Sequence, residues 1–185
     1  MKIVFLNGPP RSGKDTAAVF LQENWGFKHL KFAKTLKQAT HVLFGLSDID
    51  IDHFEASKDE PTPLFHGKTP REAYISLSEH YIKPVYGNDF WGKAALQEIQ
   101  RSKADCIVFS DCGFKKEIEP IIEHYGAKAC LLIYLFRKGT NFNFDSRTYI
   151  KPPADIWHMK ITNDLAKSDL YKSLNNALNY WVKHA

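Results

Sequence analysis

A turn near the start of this chain, Gly8-Pro-Pro-Arg-Ser-Gly13-Lys14-Asp15-Thr16, restricts its fold more than any other stretch. Before it, Lys2-Ile-Val-Phe-Leu6 has the unbroken apolarity of a buried strand. After it, Ala17, Ala18, Phe20 and Leu21 fall on one face of a helix running from Gly13 to about Asn24. Glycine at both ends lets the backbone curl until successive N–H groups face one point. The helix N-terminus adds its positive end, and Lys14 adds a cation. A concave surface of donors with one ammonium suits a polyphosphate. A chance glycine turn would not also carry a lysine in register between a strand and a helix. The turn reads as a nucleotide-phosphate cradle, and by itself it does not choose among kinase, GTPase and motor.

The rest of the chain alternates strands and helices. Strands are expected at His29–Phe32, Asp105–Asp111, Ala129–Phe136 and Ile156–Ile161. Helices are expected at Ala33–Phe44, Trp91–Arg101, Lys115–His124 and Asp164–Val182, the last with Leu165, Leu170, Leu174, Leu178 and Trp181 inward. Thr69-Pro70-Arg71-Glu72 has the form of a helix start, with Thr69 as cap and Pro70 in the first turn, and that helix should stop before Lys83-Pro84. Gly45–Lys68 is acidic and looks like an exposed excursion. Arg137–Pro153 looks like a mobile loop. Alternation of this kind implies a parallel sheet covered on both faces. With 185 residues, 44% of them apolar, one α/β domain is expected, carrying two insertions.

The ending of the cradle departs from the common pattern. Asp15 stands where Ser or Thr usually follows the lysine as a magnesium ligand, and Thr16 comes next, placed to hydrogen-bond an inner phosphate. Asp15 is a candidate for holding magnesium through water or for accepting a hydrogen bond from the substrate. It also favours the helix N-terminus electrostatically.

Gly8 to Thr16 resembles the loop of the nucleoside monophosphate kinases of the P-loop group, and its Gly-Lys-Asp-Thr ending resembles that of the phage-type deoxynucleoside monophosphate kinases. Phe32-Ala33 with Leu36-Lys37, Thr69-Pro70-Arg71-Glu72, Ser110-Asp111 with Phe114 and Glu117, and Ile161-Thr162-Asn163-Asp164 are similar, in order, to further segments of that family. Gly113 departs from it, standing where the family often has arginine. The resemblance implies a P-loop NTPase three-layer sandwich with a parallel sheet of about five strands. It also implies an acceptor-binding helical insertion at 46–92, a lid at 137–153, and Asn163 near the adenine of ATP.

The candidate site follows from the needs of phosphoryl transfer, which are positioning and charge neutralisation. Gly8, Pro10, Arg11, Ser12, Gly13, Lys14, Asp15 and Thr16 would hold ATP. Asp111, at the end of an apolar strand, has the Walker B position and would orient hydrated Mg2+ with Asp15; its plainer reading is a helix N-cap. Arg137 and Arg147 would close over the phosphates and exclude water. For the acceptor, Arg71 is the first choice to grip a phosphate and Lys37 the second, while Phe32, Tyr74 and Trp91 would wall the base, although burial in the core is the common fate of an aromatic residue.

The partners expected are small-molecule nucleotides. The formal charge of +4 is too small for a nucleic-acid tail or a polybasic membrane anchor. No apolar run reaches the roughly 20 residues of a membrane span, so a cytoplasmic location is expected, host cytoplasm if phage-encoded. A homodimer is compatible with the sequence. Cys106, Cys112 and Cys130 form no C-x-x-C pair and read as reduced thiols. The leading expectation is ATP-dependent phosphorylation of a (deoxy)nucleoside monophosphate. The alternatives are a kinase of a hydroxymethylated pyrimidine in DNA, a small-molecule kinase of the dephospho-coenzyme-A or phosphomevalonate type, and a nucleotide-dependent binding switch.

Overall fold

The computed structural model describes residues 1–143, 145–153 and 155–185. Five strands, β1 (Lys2–Asn7), β2 (Lys28–Leu30), β3 (Cys106–Cys112), β4 (Cys130–Phe136) and β5 (Trp157–Thr162), pair in parallel in the order β2-β3-β1-β4-β5. The helices are α1 (Lys14–Trp25), α2 (Ala33–Leu43), α3 (Pro70–Ser76), α4 (Lys83–Tyr86), α5 (Phe90–Ser102), α6 (Lys115–Tyr125) and α7 (Lys167–His184). Successive residues of a strand point to opposite faces. Val4 and Leu6 of β1 therefore pack with residues of α1 and α7, while Ile3 and Phe5 pack with residues of α5 and α6. The result is a three-layer α/β sandwich with the glycine-rich turn between β1 and α1, as expected of a P-loop NTPase fold.

Element ends differ from the sequence expectation by a residue or two, the usual fraying. Three differences have identifiable causes. The helix beginning at Pro70 does not stop before Lys83-Pro84. It widens into a π turn over Leu77–Ile82, in which the Lys83 N–H reaches back to the Ser78 carbonyl, and continues as α4. Pro84 has no N–H to give, and the ladder is already widened just ahead of it. Leu165 is not inward but 77% exposed, because α7 begins only at Lys167. The 45–68 segment is not wholly an excursion. Leu46, Phe54 and Phe65 are buried with Ala73 in a small separate core, and Phe54, Phe65 and Tyr74 surround the His41 ring.

The loop after β4 is also more anchored than expected. Asn7, fully buried at the end of β1, donates to the carbonyls of Cys112 (2.9 Å) and Thr148 (3.0 Å) and accepts from the Ile150 N–H (3.0 Å). Tyr134 Oη donates to the Ile150 carbonyl at 2.6 Å, and Ile150 is buried. One side chain thus fastens the second half of this loop to the end of β3. Residue 144, within the expected lid at 137–153, lies outside the described residues.

Candidate active site

A cavity of about 1070 Å³ opens at the C-terminal ends of β1, β2 and β3. Such an edge is where parallel α/β sheets leave room for ligands. The cavity runs from Arg11 and Lys14 at one end to Arg71 and Tyr74 at the other.

The cradle is built as its sequence demands. Gly13 has φ +101°, a left-handed conformation, and Arg11 takes φ +64°. Asn163, just past β5, donates from Nδ2 to the Ser12 carbonyl at 2.9 Å. Peptide planarity then turns the Gly13 N–H to the opposite side of that peptide. A Cβ on Gly13 would lie 2.3 Å from the same Asn163 nitrogen, so the glycine and the asparagine fit only together. Asn163, expected near an adenine, thus touches the loop backbone. Arg137, which is exposed, donates from Nη1 to the Arg11 carbonyl at 3.3 Å. The Lys14 ammonium donates to the Pro9 carbonyl at 2.7 Å. Burial first, and then the charge of Arg147, lowers its pKa to about 8. An arriving phosphate would relieve both. Gly8 is buried, Pro10 exposed and Thr16 half-buried, while Ser12 Oγ is buried with no hydrogen-bond partner among the described residues.

The two acidic candidates are held differently. Both oxygens of Asp111 accept backbone amides, from Phe32 and Ala33 at 2.9 Å each, so it caps α2 rather than the helix after Phe114. Asp15 leaves most of its carboxylate in water, with Oδ1 2.9 Å from Ser110 Oγ and 3.5 Å from Lys31 Nζ. The donor set suits Mg2+, which takes one or two carboxylates and otherwise waters and substrate phosphate oxygens. Asp15, and Asp111 through water, supply hard oxygens beside the cradle.

Arg147 reaches the same cavity from the anchored half of the loop. Its guanidinium pairs with both oxygens of Asp145, Nε–Oδ1 at 2.8 Å and Nη2–Oδ2 at 2.6 Å, and that bond raises its pKa. The stem of Arg147 lies across Gly113. A Cβ there would sit 2.2 Å from Arg147 Cγ. The glycine at 113 is the space through which this arginine passes.

At the far end, the two basic acceptor candidates already hold anions. Lys37 Nζ is 2.9 Å from both Asp52 Oδ1 and Glu55 Oε2. Burial alone would lower the Lys37 pKa, but these hydrogen bonds raise it. Burial alone would raise that of Glu55, but hydrogen bonds from Lys58 and Lys37 bring it to about 2. Arg71 Nε is 2.5 Å from Asp59 Oδ1. The acidic segment that matched nothing in the sequence therefore lies on the two cations chosen for a phosphate. Of the aromatic candidates, Phe32 stacks on Phe109 in the core at 4.3 Å, and Trp91 is buried with Nε1 donating to Ser78 Oγ. Tyr74 bonds His41 through Oη at 3.0 Å. All three still line the cavity.

Glu117, on α6, is a buried carboxyl in the cavity wall whose importance spacing alone does not reveal. Burial first, then the nearby Asp111, raises its pKa from 4.5 to about 8. Between those values the folded chain keeps a proton that the unfolded chain releases, so stability falls as pH rises from about 4.5 to about 8. Glu117→Gln removes that loss. Thermal denaturation above pH 8 should show the variant melting several degrees higher than the parent, with the gap closing as pH falls toward 4.5; matching pH profiles would refute a strained carboxyl.

The sequence has a relative among curated proteins. A protein of Acanthamoeba polyphaga mimivirus named "Putative deoxynucleotide monophosphate kinase" is 31% identical over 137 residues, covering 66% of this chain and 69% of that one. Among solved structures, a gluconokinase from Sinorhizobium meliloti 1021 aligns with TM-score 0.47 at 11% identity, over 100% of this chain and 98% of its own. A Thermus thermophilus protein aligns with TM-score 0.49 at 16% identity, over 97% of each chain. No protein-family model matches the chain.

Proposed function

This chain belongs to the family of the mimivirus protein described above, and on that premise we propose that it transfers the γ-phosphoryl group of ATP to the phosphate of a (deoxy)nucleoside monophosphate. The observation that carries this reading is a single cavity joining the Lys14 cradle to a second basic pair, Lys37 and Arg71. One set suits a triphosphate tail and the other a monophosphate. A switch or motor has no use for the second.

The chemistry follows from these groups. Lys14 and the amides of Gly8–Thr16 hold the β- and γ-phosphates. Asp15 and Asp111 would hold a hydrated cation, which when bound would neutralise phosphate charge. Arg71 and Lys37 take the acceptor phosphate, and Tyr74, Trp91 and Phe32 wall the space beside it. An oxygen of that phosphate attacks the γ-phosphorus, and the bond to the β-bridging oxygen breaks, leaving ADP and a nucleoside diphosphate. The attacking oxygen is already ionised near pH 7, so no general base is required. Arg147 is held in position by Asp145 and meets the charge developing on the transferred group. Arg137 brings a second cation from the exposed half of the loop, and the 137–153 segment limits water.

The defining experiment is an ADP-release assay over a panel of nucleoside monophosphates and deoxynucleoside monophosphates, with hydroxymethylated pyrimidine nucleotides and hydroxymethylated DNA as further arms. ATP turnover that depends on a free monophosphate supports the reading. Turnover with modified DNA alone, or none with any acceptor, rejects it.

Arg71 has a sharper expectation. Arg71→Ala removes a charge-assisted grip and should raise the acceptor KM on the order of tenfold or more, with kcat changed far less. Asp59→Asn frees Arg71 from its resident anion and should lower that KM. If both variants leave acceptor kinetics untouched, Arg71 does not hold the phosphate.

A further inference from the structure

Ser110, at the end of β3, is buried and lies between two cavity-lining side chains. Its Oγ is 2.9 Å from Asp15 Oδ1 and 2.7 Å from His29 Nε2. A hydroxyl has one hydrogen, and an ionised carboxylate only accepts. The Ser110 hydrogen therefore goes to Asp15, and the remaining contact requires Ser110 to accept from a proton on His29 Nε2. The chain has one direction: His29 donates to Ser110, and Ser110 donates to Asp15. Its members come from β2, β3 and α1, so two strands of the sheet brace the first turn of the helix that follows the cradle.

Asp15 has reason to need bracing. Its side chain is 72% exposed, and Lys31, itself 39% exposed, stands 3.5 Å from the same oxygen. An exposed ion pair of that kind contributes little and fixes little. A short hydrogen bond from a buried serine fixes far more, and the serine is itself fixed by the imidazole behind it. Among the described residues, Asp15 Oδ2 receives no hydrogen bond, and it is the oxygen left to face a ligand.

Resting on the kinase reading, we propose that His29 and Ser110 are positioning residues that hold the Asp15 carboxylate toward the hydrated cation accompanying ATP. Both act through Asp15. Ser110→Ala releases the carboxylate. His29→Leu leaves Ser110 without its donor and weakens the same contact. In His29→Gln the side-chain amide can still donate to Ser110, so it should recover most of what His29→Leu loses. Because His29 works only through Ser110, His29→Leu together with Ser110→Ala should be no worse than Ser110→Ala alone.

The test is calorimetric titration of the full chain with ATP, with and without Mg2+, accompanied by melting curves. The expected result is that Mg2+ strengthens ATP binding by the parent and by His29→Gln, and that Ser110→Ala reduces this strengthening about three- to tenfold, the worth of one hydrogen bond of about 1 kcal/mol. Affinity for ATP without Mg2+ should stay unchanged. Ser110→Ala and His29→Leu should need more Mg2+ for half-maximal turnover at an unaltered acceptor KM. Undiminished strengthening in Ser110→Ala, losses that add in the double variant, or a loss of affinity equal with and without the metal would each overturn the proposal. The titration uses no acceptor. A parent that binds Mg·ATP but phosphorylates no monophosphate would reject the kinase reading and leave this result standing.

Discussion

Lys14→Ala should abolish turnover with every acceptor, a fall of at least a hundred- to a thousandfold in kcat, comparable to losing one preorganised donor to a transition-state oxygen. The ammonium is buried among the carbonyl of Pro9 and the charges of Arg147, Asp15 and Asp111, and the neighbouring Lys31 is paired with Asp15. Alanine leaves neither the charge nor anything that can reach as far. The fold should survive, because among the described residues the side chain makes one hydrogen bond, to the carbonyl of Pro9 within its own loop. Steady-state kinetics beside a melting curve would separate the two effects. Retention of more than a tenth of the parental rate in a folded variant would remove the basis for a phosphate cradle at Gly8–Thr16.

Asn7→Ala should produce the largest loss of stability, about 2–5 kcal/mol, from two or three buried backbone groups left without partners. For a chain of this length that corresponds to a fall in melting temperature of roughly 5–15 °C. The Cys112 and Thr148 carbonyls and the Ile150 N–H all depend on this side chain. Turnover should fall as well, since the same bonds tether the segment that carries Arg147 over Gly113. A melting temperature within two degrees of the parent would mean that other contacts, such as Tyr134 to Ile150, suffice to hold the loop.

The legible parts of this molecule were those whose signals are local. The cradle declares itself because its backbone requires glycine at 13 and its charge requires lysine at 14, one after the other. The buried strands are legible as short apolar runs, and the capping box at Thr69 and Glu72 as four adjacent residues. What the sequence hid depends on residues far apart. Nothing near Asn7 reveals that it fastens a loop 141 residues downstream. Leu46, Phe54 and Phe65 make a core with no helical or strand period, so that stretch resembled solvent-exposed chain. His29, Ser110 and Asp15 lie on three elements and meet only when β2 and β3 pair. Asp111 was legible as an acid ending a strand, but not as the cap of α2. Gly113 looked like a lost arginine. The structure shows a different arginine, Arg147, filling that space.

Lys37 and Arg71 each rest against resident carboxylates, Asp52 and Glu55 for the first and Asp59 for the second. If these two cations take the acceptor phosphate as proposed, their resident carboxylates would act as tethered competitors, present at the high local concentration that a covalent link confers. A stray monoanion would gain little by displacing them, whereas a phosphate dianion that also brings a base and sugar into the cavity would gain more. The acidic stretch would then work as a selectivity filter, making entry a trade in which a doubly charged, well-shaped guest comes out ahead.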